Sequence, residues 1–279
     1  MYTSDWHIHS EASYDAALTL PELFAATERQ DIRHFGITDH MNWPSWIPLY
    51  LRRSRELFEE NRRPGFHLGV ELTTISKYKH DYDRLHGGLE GWSDHDFTQP
   101  DPIELPMTAE EIAESGVEYT IGAAHWALNV PMNPEDVVRD FTRQTFWLAQ
   151  DPRVDIIGHP FAIAEELRLS NGTSGHFTEF SLVTPALRRE LAAAFLEGRK
   201  LVECNIGYLQ TPYLPEQFRH DYAEFMRELF ESGVPITIGT DCHGPNYPDV
   251  REFAARYLSP AGFQAQDFAE PACIRRAIR

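Results

Sequence analysis

Residues 5–9, with the sequence DWHIH, join a short β-strand pattern to two side chains of a type that binds metals. Side chains alternate along a strand, so His7 and His9 face the same way and can bind one cation. In a chain with 13 histidines among 279 residues, chance alone gives roughly 0.6 such pairs, the usual false-positive risk of a short motif. The motif therefore gains weight only if metal-capable residues also stand at the ends of the later strands.

Further short apolar segments repeat this arrangement along the chain. The predicted strands cover residues 5–9, 35–38, 67–72, 118–124, 154–158, 200–204 and 235–239. Helical patterns alternate with them. The first begins with a capping box and covers residues 19–27, and the others cover residues 50–61, 133–150, 185–198 and 217–232. This alternation predicts parallel strands joined by helical crossovers, and the number of units predicts one α/β barrel domain over residues 1–279. An open doubly wound sheet is the alternative, although no glycine-rich phosphate loop follows any strand.

Two long segments interrupt the alternation, at residues 77–107 and 165–181. Both are polar and irregular in pattern, and both are too long for ordinary connections, so we interpret them as insertions that overhang the mouth of the barrel. Lys77, Arg168 and His176 lie in or beside them and could bind a phosphate. The alternative is that these are solvated loop charges. We interpret His80, His86 and His95 as ordinary loop histidines.

The composition favours a cytoplasmic protein that binds neither nucleic acid nor membranes. The formal net charge of −18 repels nucleic acid backbones and anionic lipids. No apolar run approaches the roughly 18 residues needed to span a bilayer, and the N-terminus lacks a signal-peptide pattern. The cysteines Cys204, Cys242 and Cys273 are too few and scattered for a disulfide framework. The negative charge serves solubility or, in part, the binding of cations.

Metal-capable side chains recur at the ends of nearly all predicted strands. They are His40 after the second, Glu71 on the third, His125 after the fourth, His159 after the fifth, and Asp241 with His243 after the seventh. In a parallel barrel these strand ends open onto one mouth, where active sites lie. Each residue alone could be structural, as a hydrogen-bonded loop histidine, a surface acid or a helix cap. Together they would form a buried polar ring that is costly without ions, so they predict a metal site.

These pieces resemble the PHP (polymerase and histidinol phosphatase) family. The matching segments are residues 5–9, 13–15, 37–40, 69–71, 122–126, 157–160 and 239–243. The resemblance implies a distorted TIM-like barrel of seven strands and a site for three divalent ions. Residues 122–126 and 202–205 look like those of histidinol-phosphatase-type members.

The resemblance also implies which residues bind each ion. The first ion would take His7, His9, Glu71 and Asp241; the second would take Glu71 as a bridge with His125 and His159; the third would take Asp15, His40 and His243. Some relatives place a histidine where Asp15 stands. A carboxylate there is a harder ligand and favours manganese or iron over zinc, which leaves the metal open among these three.

The reaction implied by this resemblance is hydrolysis of a small phosphomonoester, such as histidinol phosphate. A metal-bound hydroxide, held by Glu71, His9 and Asp241, would attack the phosphorus. An amidohydrolase that cleaves C–N or ester bonds is the alternative enzyme, but it does not need the extra ligands His40 and His243. A non-catalytic metal-binding module is a third possibility. The sequence gives no indication of an oligomeric state.

Overall fold

A parallel sheet curls into a barrel in the computed structural model, which describes residues 2–93 and 99–271. Within these residues the barrel strands are β1 Ser4–Ile8, β2 His34–Ile37, β3 Phe66–Thr73, β4 Tyr119–Ala123, β5 Ile156–Ile157, β6 Leu201–Asn205 and β7 Ile236–Gly239. Each strand pairs in parallel with the next one along the chain. The two-residue strand His40–Met41 also pairs in parallel with β3.

The barrel closes between its first strand and the residues directly after its last. The N–H of Asp241 donates to the carbonyl of His7 at 2.7 Å, and the N–H of His9 donates to the carbonyl of Cys242 at 3.0 Å. Ile8 and Cys242 form a parallel bridge between these hydrogen bonds. The predicted TIM-like α/β barrel is therefore confirmed, and the open doubly wound alternative is wrong.

Helices occupy most of the connections between the strands. They are α1 Leu20–Gln30, α2 Arg52–Glu60, α3 Lys77–His86, α4 Ala109–Ser115, α5 Pro134–Gln150, α6 Pro185–Gly198, α7 Ile206–Leu209, α8 Glu216–Glu231 and α9 Val250–Phe253. Helix α1 begins at the predicted capping box, where Glu22 accepts from the N–H and the hydroxyl of Thr19. In the described part of the chain, no helix is both long and apolar enough to cross a membrane.

Two large aromatic side chains, Trp6 and Tyr119, fill much of the barrel interior below the mouth. Tyr119 points inward from β4, packs edge-on against Trp6 with ring centroids 5.5 Å apart, and donates its hydroxyl to the carbonyl of Trp6 at 2.9 Å. Gly36 on β2 and Gly69 on β3 leave the room for it, since a Cβ at Gly69 would lie 2.6 Å from Cζ of Tyr119. The glycines of neighbouring strands therefore specify this layer of the core.

The two interrupting segments are more regular than their polar patterns predict. Residues 77–107 begin with helix α3, which buries mainly Asp83 and thus lacks the apolar stripe that marks a helix in a sequence. Residues 165–181 contain a short hairpin, Leu167–Arg168 with Ser174–Gly175, and a 3₁₀ turn. The prediction of irregular structure was wrong at these places.

Other differences from the predicted elements are small. The fifth strand is shorter than residues 154–158, and a π-helical turn, Ile47–Leu51, precedes α2. Cys204 and Cys242 are buried free thiols. His80 and His86 belong to α3, whereas His95 and Cys273 lie outside the described residues.

We predict that Gly36→Ala destabilises the protein by about 1–3 kcal/mol, because the new methyl group would overlap the hydroxyl of Tyr119. Tyr119→Phe alone should cost about 1 kcal/mol for the lost hydrogen bond. The double variant should lose less than the sum, since removal of the hydroxyl relieves the overlap. Urea unfolding of the four proteins measures this coupling, and strictly additive losses would contradict the packing described.

Candidate metal centre

All nine predicted metal ligands meet at the carboxyl end of the barrel. The strands place them there because parallel strands all end at the same rim. Their ligand atoms form overlapping groups in which each lies within 4.8 Å of the others. These groups are His9, Asp15, His40 and His243; His7, His159 and Asp241; His7, His9 and Glu71; and His40, Glu71 and His125.

His7, His9, Glu71 and Asp241, called the first group from here on, lie deepest, around the side chains of β1. Nε2 of His7 and Nε2 of His9 are 3.1 Å apart, and both face the same two carboxylates. Oδ1 of Asp241 lies 3.4 Å from the first and 3.0 Å from the second. Oε2 of Glu71 lies 3.4 and 3.5 Å from the same two nitrogens. Two imidazoles and two carboxylates thus surround one point.

Glu71 reaches a second group with its other oxygen. Oε1 lies 2.9 Å from Nε2 of His159 and 3.1 Å from Nε2 of His125. The carboxylate is fully buried, so its two oxygens have no access to solvent and face imidazoles on both sides. One carboxylate therefore faces the imidazoles of both groups.

The third group lies nearer the surface. Oδ2 of Asp15 is 3.3 Å from Nε2 of His40 and 3.5 Å from Nε2 of His243. These two nitrogens are 3.3 Å apart. The loop that carries Asp15 is fixed beside them, because the N–H of Ala17 donates to the carbonyl of His243 at 2.8 Å.

The buried carboxylates and imidazoles of the cluster shift one another's pKa values. Burial alone would raise the pKa of Glu71, but the imidazoles of His125 and His7 lower it well below its usual range. Burial alone would lower the pKa of His40, but the carboxylate of Glu71 raises it to about 10. Burial and the neighbouring His40 lower the pKa of His9 well below normal. Buried carboxylates therefore demand cations, which protonated imidazoles or divalent ions can supply.

The unsatisfied atoms of the cluster fit metal ions. Oε2 of Glu71 and Oδ1 of Asp241 are buried, and the nitrogens beside them, Nδ1 of His40 at 2.7 Å and Nε2 of His9 at 3.0 Å, do not form hydrogen bonds of suitable geometry with them. Such atoms are costly in a protein interior unless another group compensates them. A donor set of imidazole nitrogens and carboxylate oxygens suits zinc, manganese and iron.

Several supporting side chains could not be recognised from the sequence. The carboxylate of Asp39 accepts from Ser10 and Ser54 and ties the loops after β1 and β2 together. Asp5 accepts from Thr240 and Tyr247, and burial raises its pKa to about 6. Their partners lie far apart in the chain, so no local pattern reveals them.

Glu203 is the supporting residue for which the sequence did hold a signal. It is an acid inside the apolar strand β6 and has no exposed surface. A charged residue in a buried strand is unusual unless a partner compensates it. Oε1 of Glu203 lies 2.9 Å from Nδ1 of His7.

The predicted phosphate-binding residues do not join the metal-capable groups. Lys77 is half-exposed and pairs with Asp81 at 3.0 Å. Arg168 and His176 line a separate cavity of about 750 Å³. The ring of His176 stacks on Tyr213 with centroids 4.0 Å apart, and Tyr213 in turn lines the metal pocket.

The pocket above the metal-capable residues has a volume of about 390 Å³ and neutral walls. Apart from His125, His159, Asp241 and His243, its polar lining includes Tyr208, Gln210, Thr211, Tyr213 and Asn246. No lysine or arginine is among the described residues that line it. An anionic ligand in this pocket would therefore depend on bound cations for its charge partner.

A barrel with such a ring of imidazoles and carboxylates defines a metal-dependent hydrolase. The model of the family described as "PHP domain" matches residues 5–232. The chain therefore belongs to this family, as its motifs predicted. Membership makes it a metal-dependent phosphoesterase.

Individual relatives agree with the family match. The chain is 22% identical over 270 residues to "Probable histidinol-phosphatase" of Thermotoga maritima, covering 92% of this chain and 95% of that protein. The fold is similar to the crystal structure of histidinol phosphate phosphatase from Lactococcus lactis, which contains zinc, L-histidinol and phosphate. That superposition has a TM-score of 0.62 at 16% identity and covers 94% of each chain.

We predict that Glu71→Gln lowers the metal content by more than one ion per chain, because the carboxylate faces two groups of imidazoles. Glu118→Gln is the control, since Glu118 pairs with His67 away from the metal-capable groups. Metal analysis after dialysis measures both. A metal content of Glu71→Gln equal to that of the wild type would contradict the bridging position.

Proposed function

We propose that this protein hydrolyses a small phosphomonoester, histidinol phosphate or a close analogue, at a site for three divalent ions. The observation that carries the proposal is the position of Glu71, with one oxygen toward His7 and His9 and the other toward His125 and His159. The relatives support the substrate class, since one is named a histidinol-phosphatase and the other was crystallised with L-histidinol and phosphate.

In this proposal each group of residues holds one ion. His7, His9, Glu71 and Asp241 hold the first; Glu71, His125 and His159 hold the second; Asp15, His40 and His243 hold the third. His9 lies near the third group as well, with its ring stacked on that of His243 at 4.0 Å between centroids. The donor set leaves zinc, manganese and iron as candidates.

Divalent ions held by these residues would supply an activated water and would neutralise the phosphate oxygens. The chain's own residues then fix the geometry. The carboxylate of Glu71 lies between the first and second groups and contacts both. The group of Asp15, His40 and His243 is the more exposed one. Tyr208, Gln210 and Thr211 line the pocket where the leaving group would lie.

The neutral pocket supports a substrate whose negative charge is confined to the phosphate being cleaved. A second anionic group would face walls without lysine or arginine among the described lining residues, in a protein of net charge −18. A neutral or cationic leaving group fits this field better. In this proposal Lys77, Arg168 and His176 lie outside the phosphate contacts, because Lys77 pairs with Asp81 and the other two residues line a separate cavity.

Aromatic side chains also lie beside the third group and form a rim there. Tyr14 lies 5.7 Å from the ring of His40 and 4.8 Å from that of Trp46 between centroids. Asp83 of α3 fixes this rim by accepting from the N–H of Ser45 at 2.7 Å and from its hydroxyl at 2.8 Å. We propose that residues 77–107 act as a specificity element through this contact, within one barrel domain.

The amidohydrolase alternative is less well supported. A mono- or binuclear site does not need a third set of ligands, yet Asp15, His40 and His243 lie within 3.5 Å of one another. The non-catalytic alternative does not explain the open pocket beside the cluster.

We predict that the purified protein binds about three equivalents of metal and cleaves phosphomonoesters in preference to phosphodiesters and amides. Within the phosphomonoesters, turnover should be faster for cationic and neutral leaving groups than for anionic ones. Metal analysis combined with a hydrolysis panel tests both statements. One equivalent of metal with amide turnover would favour the amidohydrolase instead.

We predict that His40→Ala and His243→Ala each lower phosphomonoester hydrolysis by more than about 100-fold, since loss of a ligand exceeds the usual effect of losing an outer-shell partner. His220→Ala on α8 is the matched control and should keep wild-type activity, because its side chain is exposed and pairs with Glu216. Steady-state kinetics measure the three variants. Full activity in both His40→Ala and His243→Ala would refute the third ion.

A further inference from the structure

Both carboxylate oxygens of Glu203 contact residues of the cluster or beside it. Its Oε1 lies 2.9 Å from Nδ1 of His7, and its Oε2 accepts from the N–H of His159 at 2.6 Å. Asn205 donates to the same Oε1 at 3.2 Å. Glu203 belongs to none of the metal-capable groups found among the described residues. The carboxylate therefore supports ligands of two groups from behind.

The contact with His7 sets the tautomer of that imidazole. A carboxylate can only accept, so Nδ1 of His7 carries the hydrogen in this contact, and in the neutral imidazole Nε2 keeps a free lone pair. Nε2 is the atom that faces Glu71 and Asp241. A carboxylate behind a histidine ligand orients the ring and raises its basicity toward a metal.

The contact with His159 holds its backbone. His159 has φ +25°, in the positive region that residues other than glycine seldom adopt. The hydrogen bond from its N–H to Glu203 stabilises this conformation. The side chain then extends toward Oε1 of Glu71, 2.9 Å from Nε2.

A third connection runs through Asn205 at the end of β6. Its amide donates to Oε1 of Glu203 at 3.2 Å and to Oδ2 of Asp241 at 3.1 Å. Its side-chain carbonyl accepts from the N–H of Tyr208 at 2.8 Å, which fixes the amide orientation. Asp241 is thereby joined to the same support.

Gly239 on β7 provides the space that Glu203 occupies. A Cβ at this position would overlap Oε1 of Glu203 and would lie 2.6 Å from Cβ of His7. The missing side chain on the neighbouring strand β7 thus allows the carboxylate to reach His7.

We propose that Glu203 is a positioning residue for two ions at once, aligning His7 at the first and His159 at the second. It binds neither ion itself. The inference rests on the proposed metal site and adds to it a shared support, so that loss of one side chain weakens two sites. The third group, Asp15, His40 and His243, has no contact with Glu203 in the structure and should be independent of it.

The test is Glu203→Gln, examined by Zn²⁺ titration against a competing chelator. Glutamine keeps the size of the side chain but has one acceptor oxygen, so it cannot accept from both His7 and His159. We expect the affinity for two of the three ions to fall about 10- to 100-fold and that for the third to be unchanged. Unchanged affinity for all ions would overturn the inference.

Two further variants keep the outcome interpretable. Asp151→Asn removes another buried carboxylate, which precedes β5 at the amino end of the barrel and accepts from the N–H of Arg153 at 2.8 Å and from its guanidinium at 2.6 Å. It should lower the melting temperature without changing Zn²⁺ affinity. Equal loss of affinity in this control would show a general effect of destabilisation and overturn the inference.

Gly239→Ala displaces the carboxylate without removing it, but its methyl group also overlaps His7. Weaker binding of the second ion, which His7 does not hold, is therefore the result expected from Glu203, even if Glu203→Gln fails to fold. Wild-type affinity in folded Gly239→Ala would also count against Glu203. A wild-type protein that binds no Zn²⁺, Mn²⁺ or Fe²⁺ would instead refute the proposed metal site itself.

Discussion

Two backbone hydrogen bonds join the start of the barrel to its end, between His7 and Asp241 and between His9 and Cys242. They close the sheet and, in the same step, bring the ligands of β1 beside those located just after β7. Asp241 adopts φ +51° at this junction, a conformation that is uncommon outside glycine. The metal-capable cluster therefore depends on the closure, because its first group draws side chains from both sides of the junction.

Charge balance is the second constraint on this region. Glu71, Glu203 and Asp5 are fully buried carboxylates in a barrel interior whose lower layer is filled by Trp6 and Tyr119. Isolated buried charges would be very unfavourable. The structure compensates Asp5 by hydroxyl and N–H donors and surrounds Glu71 with imidazoles. A hydrolytic metal site of the PHP family accounts for the imidazoles, since they are suited to bind cations in the same positions.

The alternation of strands and helices could be predicted because it depends on the local hydrophobic period and on caps such as Thr19 with Glu22. The helix Lys77–His86 could not be predicted in this way, because it carries no apolar stripe and its buried contact is the carboxylate of Asp83 against Ser45. The sequence also did not indicate that Arg168 lines a cavity separate from the metal pocket. A loop's position in the chain indicates the rim on which it lies, but not which cavity its side chain enters.

The class of fold, the family and the residue types at the strand ends could be predicted from the sequence, because period, capping and strand-end composition are local properties of the chain. That Glu71 presents its two oxygens to different imidazoles, and that Glu203 contacts both His7 and His159, is visible only in the folded barrel. These contacts join strands that are distant in the sequence. Their distances result from barrel closure and side-chain packing, which no local pattern encodes.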